Sequence, residues 1–419
     1  MSGLVEGTAA GGAARSRALA ALCVTEIVSY GVLFYAFPVL ATDITTSTGW
    51  SRTAITAAYS AGNLIGALAG VPAGRIIDRR GPRPVMTAGS VLGAAAAAGI
   101  AAAPSYGWFV AAWLLAGVAM AGLFYPPAFA ALTGWYGPDR VRALTTLTLA
   151  AGFSSTIFAP LTAALAGHLS WRGVYLVLAV VLAVITIPAH WLALGLPWPQ
   201  PPRTQPGGGV SRNRQVLTSR VFLLLAAAMT LSAFAQYAVI VNLVPLLTGR
   251  GLSATEAAWA LGLGGAGQVA GRLCYPTLAA RSSVRGRALA VMAAGAVTIA
   301  MLGVLPGPAG LLIAAAIVAG AVRGLFTLLE ATAISDRWGP AGYASLNGVF
   351  SAPLTAAIAL APTAGAALAA ALGSYPALFL ALAGTSAVSG ILMTGTRAEP
   401  HPTGPHPTEP HPPGADPGA

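Results

Sequence analysis

The sequence has 419 residues, 56% of them hydrophobic and only 8% charged, with a mean hydropathy of +0.74. A soluble domain carries about 25% charged residues, so the composition excludes a soluble globular protein and places the chain in a bilayer. The net charge of +11 comes from 22 basic residues, all arginine; most lie in short polar segments between apolar runs, which points to membrane topology rather than nucleic-acid binding.

A bilayer core about 30 Å thick takes roughly 20 apolar residues per helix. On that scale the first six spans are expected near 17–40, 53–73, 85–103, 107–132, 144–167 and 173–195. Arg15 and Arg17 before the first run imitate the start of a signal peptide, but the many later apolar runs mark a first spanning helix instead. Glu26 sits about a third of the way into that span, where an apolar setting favours a neutral carboxyl and suits proton coupling. Tyr30 and Tyr35 share the span; Asn63 and Tyr125 lie on the second and fourth. Each is either a cavity-lining group or an interhelical hydrogen bond. His190, near the end of the sixth span, is expected at the membrane interface.

Residues 196–219, which begin "LPWPQPPRTQPGGGVSRNRQ", have the chemistry of a linker. A second set of spans is expected near 220–247, 256–278, 288–305, 309–333, 344–367 and 375–396. Gln236 and Asn242 lie on the seventh span, Gln268 and Arg272 on the eighth, Arg323 and Glu330 on the tenth. A charge at a helix centre costs about 2.5–3.5 kcal/mol on insertion scales, so such residues face cavities or partners. Arg323 and Glu330 are seven residues apart on one helical face, separated by about 10 Å of rise. Arg272 offers the planar fork that suits a carboxylate. The tail 397–419 carries a proline-locked repeat around His401, His406 and His411, expected to be disordered rather than metal-binding.

Shifting the chain by 202 residues pairs Gly49 and Ser51 with Gly251 and Ser253, Arg79 and Arg83 with Arg281 and Arg285, and Pro160 with Pro362. The expected organisation is therefore two duplicated six-helix halves, 1–195 and 220–396, in an all-α integral membrane protein of twelve spans. Arg75, Arg79, Arg80, Arg83, Arg140, Arg142, Arg281, Arg285, Arg287 and Arg337 all fall on one side, with both ends of the chain; Arg52, Arg172 and Arg250 fall on the other. The positive-inside rule then puts both termini in the cytoplasm, in what the Arg- and Ala-rich composition suggests is a bacterial inner membrane.

The segment "GRIIDRRGPR" between the second and third spans holds five charges in ten residues. Gly74, Asp78, Arg79, Gly81 and Arg83 match the loop signature of the major facilitator superfamily, which the chain resembles over residues 17–396. The resemblance implies two helical bundles and alternating access. Physically, Gly74 and Gly81 permit a tight turn and close approach, and Asp78 suits a helix N-terminus, so these five residues form a conformational latch. The second copy has Ala280 and Ser283 where Asp78 and Gly81 would fall, and a latch there is expected to be weaker or absent.

"SYGVLFYAFPVL" and "TGWSRTAITAAYS" resemble the monocarboxylate and oxalate/formate branch of that superfamily, in which an arginine of the eighth helix contacts the substrate anion. By that resemblance Arg272 takes the role; the intramembrane Arg323 and the polar Tyr30, Tyr35 and Gln268 are further candidate substrate contacts by their place in the spans. The branch often has an acidic residue where this chain has Gln268, and a lysine where it has Val39. The coupling carboxyl is accordingly expected at Glu26 or Glu330. In "GFSSTIFAPLTAALAG" the glycines of the drug-exporter pattern are replaced by alanines.

The reading is a secondary active transporter of a small organic anion, driven by a proton or by an exchanged anion and working as a monomer in the lipid bilayer. Proton-antiport efflux of lipophilic drug-like compounds is the alternative, and a non-transporting sensor on the same fold ranks below it. No cofactor, metal or nucleic acid is expected, and no residue cluster has catalytic spacing.

Overall fold

The computed structural model describes residues 2–198 and 208–396. The middle of the linker and the tail from 397, with its three histidines, lie outside the described residues. All regular structure described is helical. Helices α1 (Gly11–Thr48), α2 (Arg52–Arg80) and α3 (Pro82–Ala101) are followed by α4, in two pieces, Tyr106–Leu123 and Tyr125–Tyr136. Helix α5 is likewise divided, Arg140–Ala151 and Ser154–Ala166, and α6 is Trp171–Ala193. A short helix, Gly208–Thr218, occupies part of the expected linker. Then come α7 (Arg220–Thr248), α8 (Ala254–Arg281), α9 (Val284–Val304), α10 (Ala309–Thr332), α11 (Tyr343–Leu372) and α12 (Tyr375–Thr394).

Among the described residues, ten stretches are long and apolar enough to cross a membrane, against the twelve crossings expected. Tyr106–Ala166 forms one continuous stretch of 61 residues, and Ala254–Arg281 is not among the ten. That long stretch spans both α4 and α5, which meet at a short 3-10 turn, Gly137–Asp139.

Each break has a local cause. Pro126 and Pro127 come directly after Tyr125 and cannot supply amide hydrogens to the preceding turn, so α4 restarts after Phe124, which is extended. In α1, Gly31–Tyr35 forms a π turn just before Pro38, whose ring would clash with the carbonyl four residues back. The duplicated signals act alike in both halves. Gly49 and Gly251 have φ of 73° and 90°, while Ser51 and Ser253 cap α2 and α8 by accepting from Ala54 N and Glu256 N.

The apolar core is organised in three clusters. One, containing Leu22, Ile77, Leu144, Tyr275, Phe326 and Phe350, takes residues from both halves at the arginine-rich end. The other two stay within single halves. Phe37, Phe109, Trp113 and Tyr175 belong to the first; Leu246, Ile299, Leu312 and Phe379 belong to the second. The halves are thus fused at the arginine-rich end and separately cored at the other. Both pieces of α5 pack on α1; Arg140–Ala151 also reaches across to α8 and α10, whereas Ser154–Ala166 otherwise packs on α6 of its own half.

Candidate functional site

At the arginine-rich end, α2 and α11 touch backbone to backbone. A Cβ on Gly74 would lie 2.1 Å from the Ala344 carbonyl oxygen, closer than any side chain tolerates. That approach delivers Asp78 to the first turn of α11. Its Oδ1 accepts from Ala344 N at 3.1 Å and its Oδ2 from Ser345 N at 2.7 Å. Helix amides with no partner inside the helix, and the positive end of the helix dipole, meet a carboxylate there. Gly81 turns the chain from α2 into α3 at φ 80°. Arg83 lies over the Trp191 ring, 4.2 Å from its centroid, and Arg79 is exposed.

The second half makes a different contact. Asp336, between α10 and α11, accepts from Arg140 at 2.6 Å and from Arg287 of α9. Arg140 belongs to the first half, so this triad spans the two. An ionic tie between the halves therefore exists beyond the Asp78 loop, supplied by a residue that the repeat register does not mark. Its sequence signal is a lone acidic residue beside Arg337 in "SDRWGP". At the expected second-copy position, Ser283 caps α9 and Arg285 donates to the Thr394 carbonyl at 2.6 Å.

Deeper in, Arg272, Arg323 and Gln268 are brought together by the packing of α8 on α10. A Cβ on Gly324 would lie 2.1 Å from the Gln268 carbonyl oxygen, and one on Gly271 would lie 2.0 Å from that of Ala321. Small residues let the two backbones meet, the usual means of helix association in lipid. Arg323 donates to Gln268 Oε1 at 3.4 Å. Arg272 is 5% exposed and donates to the Thr148 carbonyl of α5 at 2.5 Å, across the halves. Its Nε has no partner. Neither arginine forms an ion pair among the described residues, and Arg323 does not reach Glu330.

Tyrosines surround these cations. Tyr35 is within electrostatic range of both arginines, as is Tyr237 of α7. Tyr125 faces Arg272 and Tyr35, and Tyr30 neighbours Tyr125 and Glu26. Glu26 is fully buried with neither carboxyl oxygen hydrogen-bonded. Glu330 lies near Tyr237 and Tyr343. The arginines and these tyrosines thus lie together, inward of the Asp78 and Asp336 contacts, and Glu26 and Glu330 are linked to them through Tyr125 and Tyr237.

Of the other polar candidates, Gln236 lines a cavity with Arg323, while the asparagines bond within their own helices. Asn63 and Asn242 donate to the carbonyls of Tyr59 and Ala238 on their own helices, and Gln236 donates to Ser232 Oγ. His190, in the last turn of α6, is enclosed by protein rather than exposed. It is fully buried, with Ser90 Oγ 2.8 Å from Nδ1 and Thr25 Oγ1 2.9 Å from Nε2.

The chain is similar to known proteins in sequence and in fold. The family model of the Major Facilitator Superfamily matches residues 22–310. Human Monocarboxylate transporter 11 is 29% identical over 382 residues, covering 87% of this chain and 78% of that protein. Among solved structures, the Escherichia coli fucose:proton symporter FucP superposes with a TM-score of 0.70 at 16% identity, over 90% of this chain and 98% of that one. The human organic anion transporter MFSD10 gives 0.67 at 15% identity, over 90% and 99%. At these identities the superpositions establish the fold.

Proposed function

The chain belongs to the Major Facilitator Superfamily of membrane transporters, and from that premise we propose that it moves a small organic anion, such as a monocarboxylate, by alternating access. The observation that carries this reading is the pair Arg272 and Arg323: two intramembrane guanidiniums on packed helices with no carboxylate paired to either among the described residues. A buried cation without an internal anion is costly, and an anionic ligand that forks onto guanidinium relieves that cost. The similarity to a monocarboxylate transporter supports the same class of cargo.

Coupling falls to Glu26 and Glu330. Glu26 is fully buried with both oxygens unpartnered among the described residues, and an intramembrane carboxyl so placed suits a proton carrier between two exposures. Residues 1–195 and 220–396 act as the two rocking halves, with 196–219 and both termini cytoplasmic. On this orientation the arginine-rich end, closed by Asp78 and Asp336, is the inner gate, and the separately cored end is the outer vestibule. Entry of the anion and its pairing with Arg272 release the tie to Thr148, which loosens the contact of α5 with α8 and favours opening inward.

The test is counterflow of radiolabelled pyruvate in proteoliposomes. The expected result is saturable exchange in the native chain and at least a tenfold rise in KM in both Arg323→Gln and Arg272→Gln. Unchanged KM in both variants would remove the guanidiniums from the site and the reading with them.

A further inference from the structure

We infer that the favoured cargo is a carboxylate carrying an aromatic ring, taken between a ring-bearing wall on the first half and the guanidiniums of the second. This rests on the organic-anion reading above and narrows it.

The asymmetry of the zone carries the inference. Both cations, Arg272 and Arg323, come from α8 and α10. The rings come mainly from α1, α2 and α4, and most are already paired face to face. Tyr30 stacks on Phe124 with centroids 4.0 Å apart, Tyr59 on Phe37 at 4.5 Å and Tyr125 on Phe129 at 5.0 Å.

Phe34 and Tyr35 differ. Phe34 meets Tyr30 and Tyr35 edge-on at 6.2 and 5.2 Å, and Tyr59 at a tilt at 6.0 Å. Neither Phe34 nor Tyr35 has a stacked ring among the described residues. Both are only partly buried, and both lie on the π turn Gly31–Tyr35, a distortion that recurs at functional sites. Tyr35 is within electrostatic range of both guanidiniums, as Tyr237 is from the other half.

A ligand whose carboxylate meets Arg272 and Arg323 therefore lies beside Tyr35, whose ring is unstacked and has Phe34 edge-on to it. Offset or edge-to-face contact between rings contributes about 0.5–1.5 kcal/mol beyond area burial, and guanidinium also favours the face of a π system. A short aliphatic acid would make the ionic contact alone.

The experiment compares acids with matched head groups in proteoliposomes of the full chain: phenylpyruvate against pyruvate, and benzoate against acetate, each as competitor of labelled substrate in counterflow. The expected result is at least a tenfold lower half-inhibitory concentration for the ring-bearing member of each pair. In Phe34→Leu, which keeps bulk and removes the ring, the phenylpyruvate-to-pyruvate ratio falls several-fold toward one. Equal potency within each pair of acids in the native chain would overturn the aromatic inference and leave the organic-anion reading standing. A ratio unchanged in both Phe34→Leu and Tyr35→Leu would overturn the assignment to these rings. Inhibition by no carboxylate, with flux of a lipophilic cation such as tetraphenylphosphonium, would overturn the organic-anion reading and this inference together.

Discussion

Arg140 and Asp336 meet at 2.6 Å across the two halves, and the same carboxylate also holds Arg287. The side chains of Asp336 and Arg287 are only 7% and 6% exposed. Removing one partner of a buried ion pair leaves an uncompensated charge, at a cost of about 3–5 kcal/mol. Asp336→Asn is therefore expected to lower the thermal unfolding midpoint of the detergent-solubilised protein by several degrees. Arg140→Gln, at a partner that is 22% exposed, should cost less. Adding Arg287→Met to Asp336→Asn should recover part of the loss, because no buried cation is then stranded. A double variant no more stable than Asp336→Asn would contradict this role for the triad.

Gly74 admits α11 to within backbone contact. In Gly74→Ala the methyl group and the Ala344 carbonyl cannot both keep their places, so the arginine-rich end stays ajar. Single cysteines introduced on the two sides of that end, in a background lacking Cys23 and Cys274, should react faster with a membrane-impermeant thiol reagent than in the parent. Asp78→Asn should act in the same direction and more weakly, since an anion at a helix N-terminus contributes about 1 kcal/mol.

Arg272 touches Thr148 at the turn where α5 divides. A Cβ on Gly152 would lie 3.1 Å from Arg272 Nη1. Gly152→Val is expected to displace the guanidinium and raise KM for the anion with little change in thermal stability, and Arg272→Lys should recover only part of what Arg272→Gln loses, because an ammonium cannot fork. Binding measured by isothermal calorimetry and exchange measured by counterflow should shift together in these variants.

Much of this is legible in the sequence because the signals are short and local. Gly74, Asp78 and Gly81 lie within eight residues, and the apolar runs mark the helices directly. Intramembrane charge singles out Glu26, Arg272, Arg323 and Glu330; the structure brings the two arginines near one another, while the glutamates are linked to them only through intervening tyrosines. Partners set by tertiary approach are not legible in the same way. The Thr148 carbonyl carries no side-chain signal, and it meets Arg272 where α5 breaks. Asp336 reads as an ordinary loop residue because its cations, Arg140 and Arg287, come from elements 196 and 49 residues away. The sequence places His190 at the interface, whereas its burial depends on Ser90 and Thr25, 100 and 165 residues distant.

Under the proposed function, Glu26 and Glu330 serve coupling rather than cargo. Replacing both with Gln should abolish uptake driven by an imposed pH gradient while leaving measurable carboxylate counterflow, which needs no net proton movement. Loss of both activities in a folded variant would mean that the carboxyls hold the site together instead.

Transport of an organic anion onto Arg272 and Arg323 stands or falls on a pH-flux recording in proteoliposomes loaded with a proton-sensitive dye and challenged with small carboxylates and with lipophilic cations. Proton movement, or exchange of one carboxylate for another, is expected on addition of the carboxylates, and its loss is expected in Arg272→Gln. Proton movement with the lipophilic cations alone would contradict the organic-anion reading and make the protein an exporter of a different class of compound.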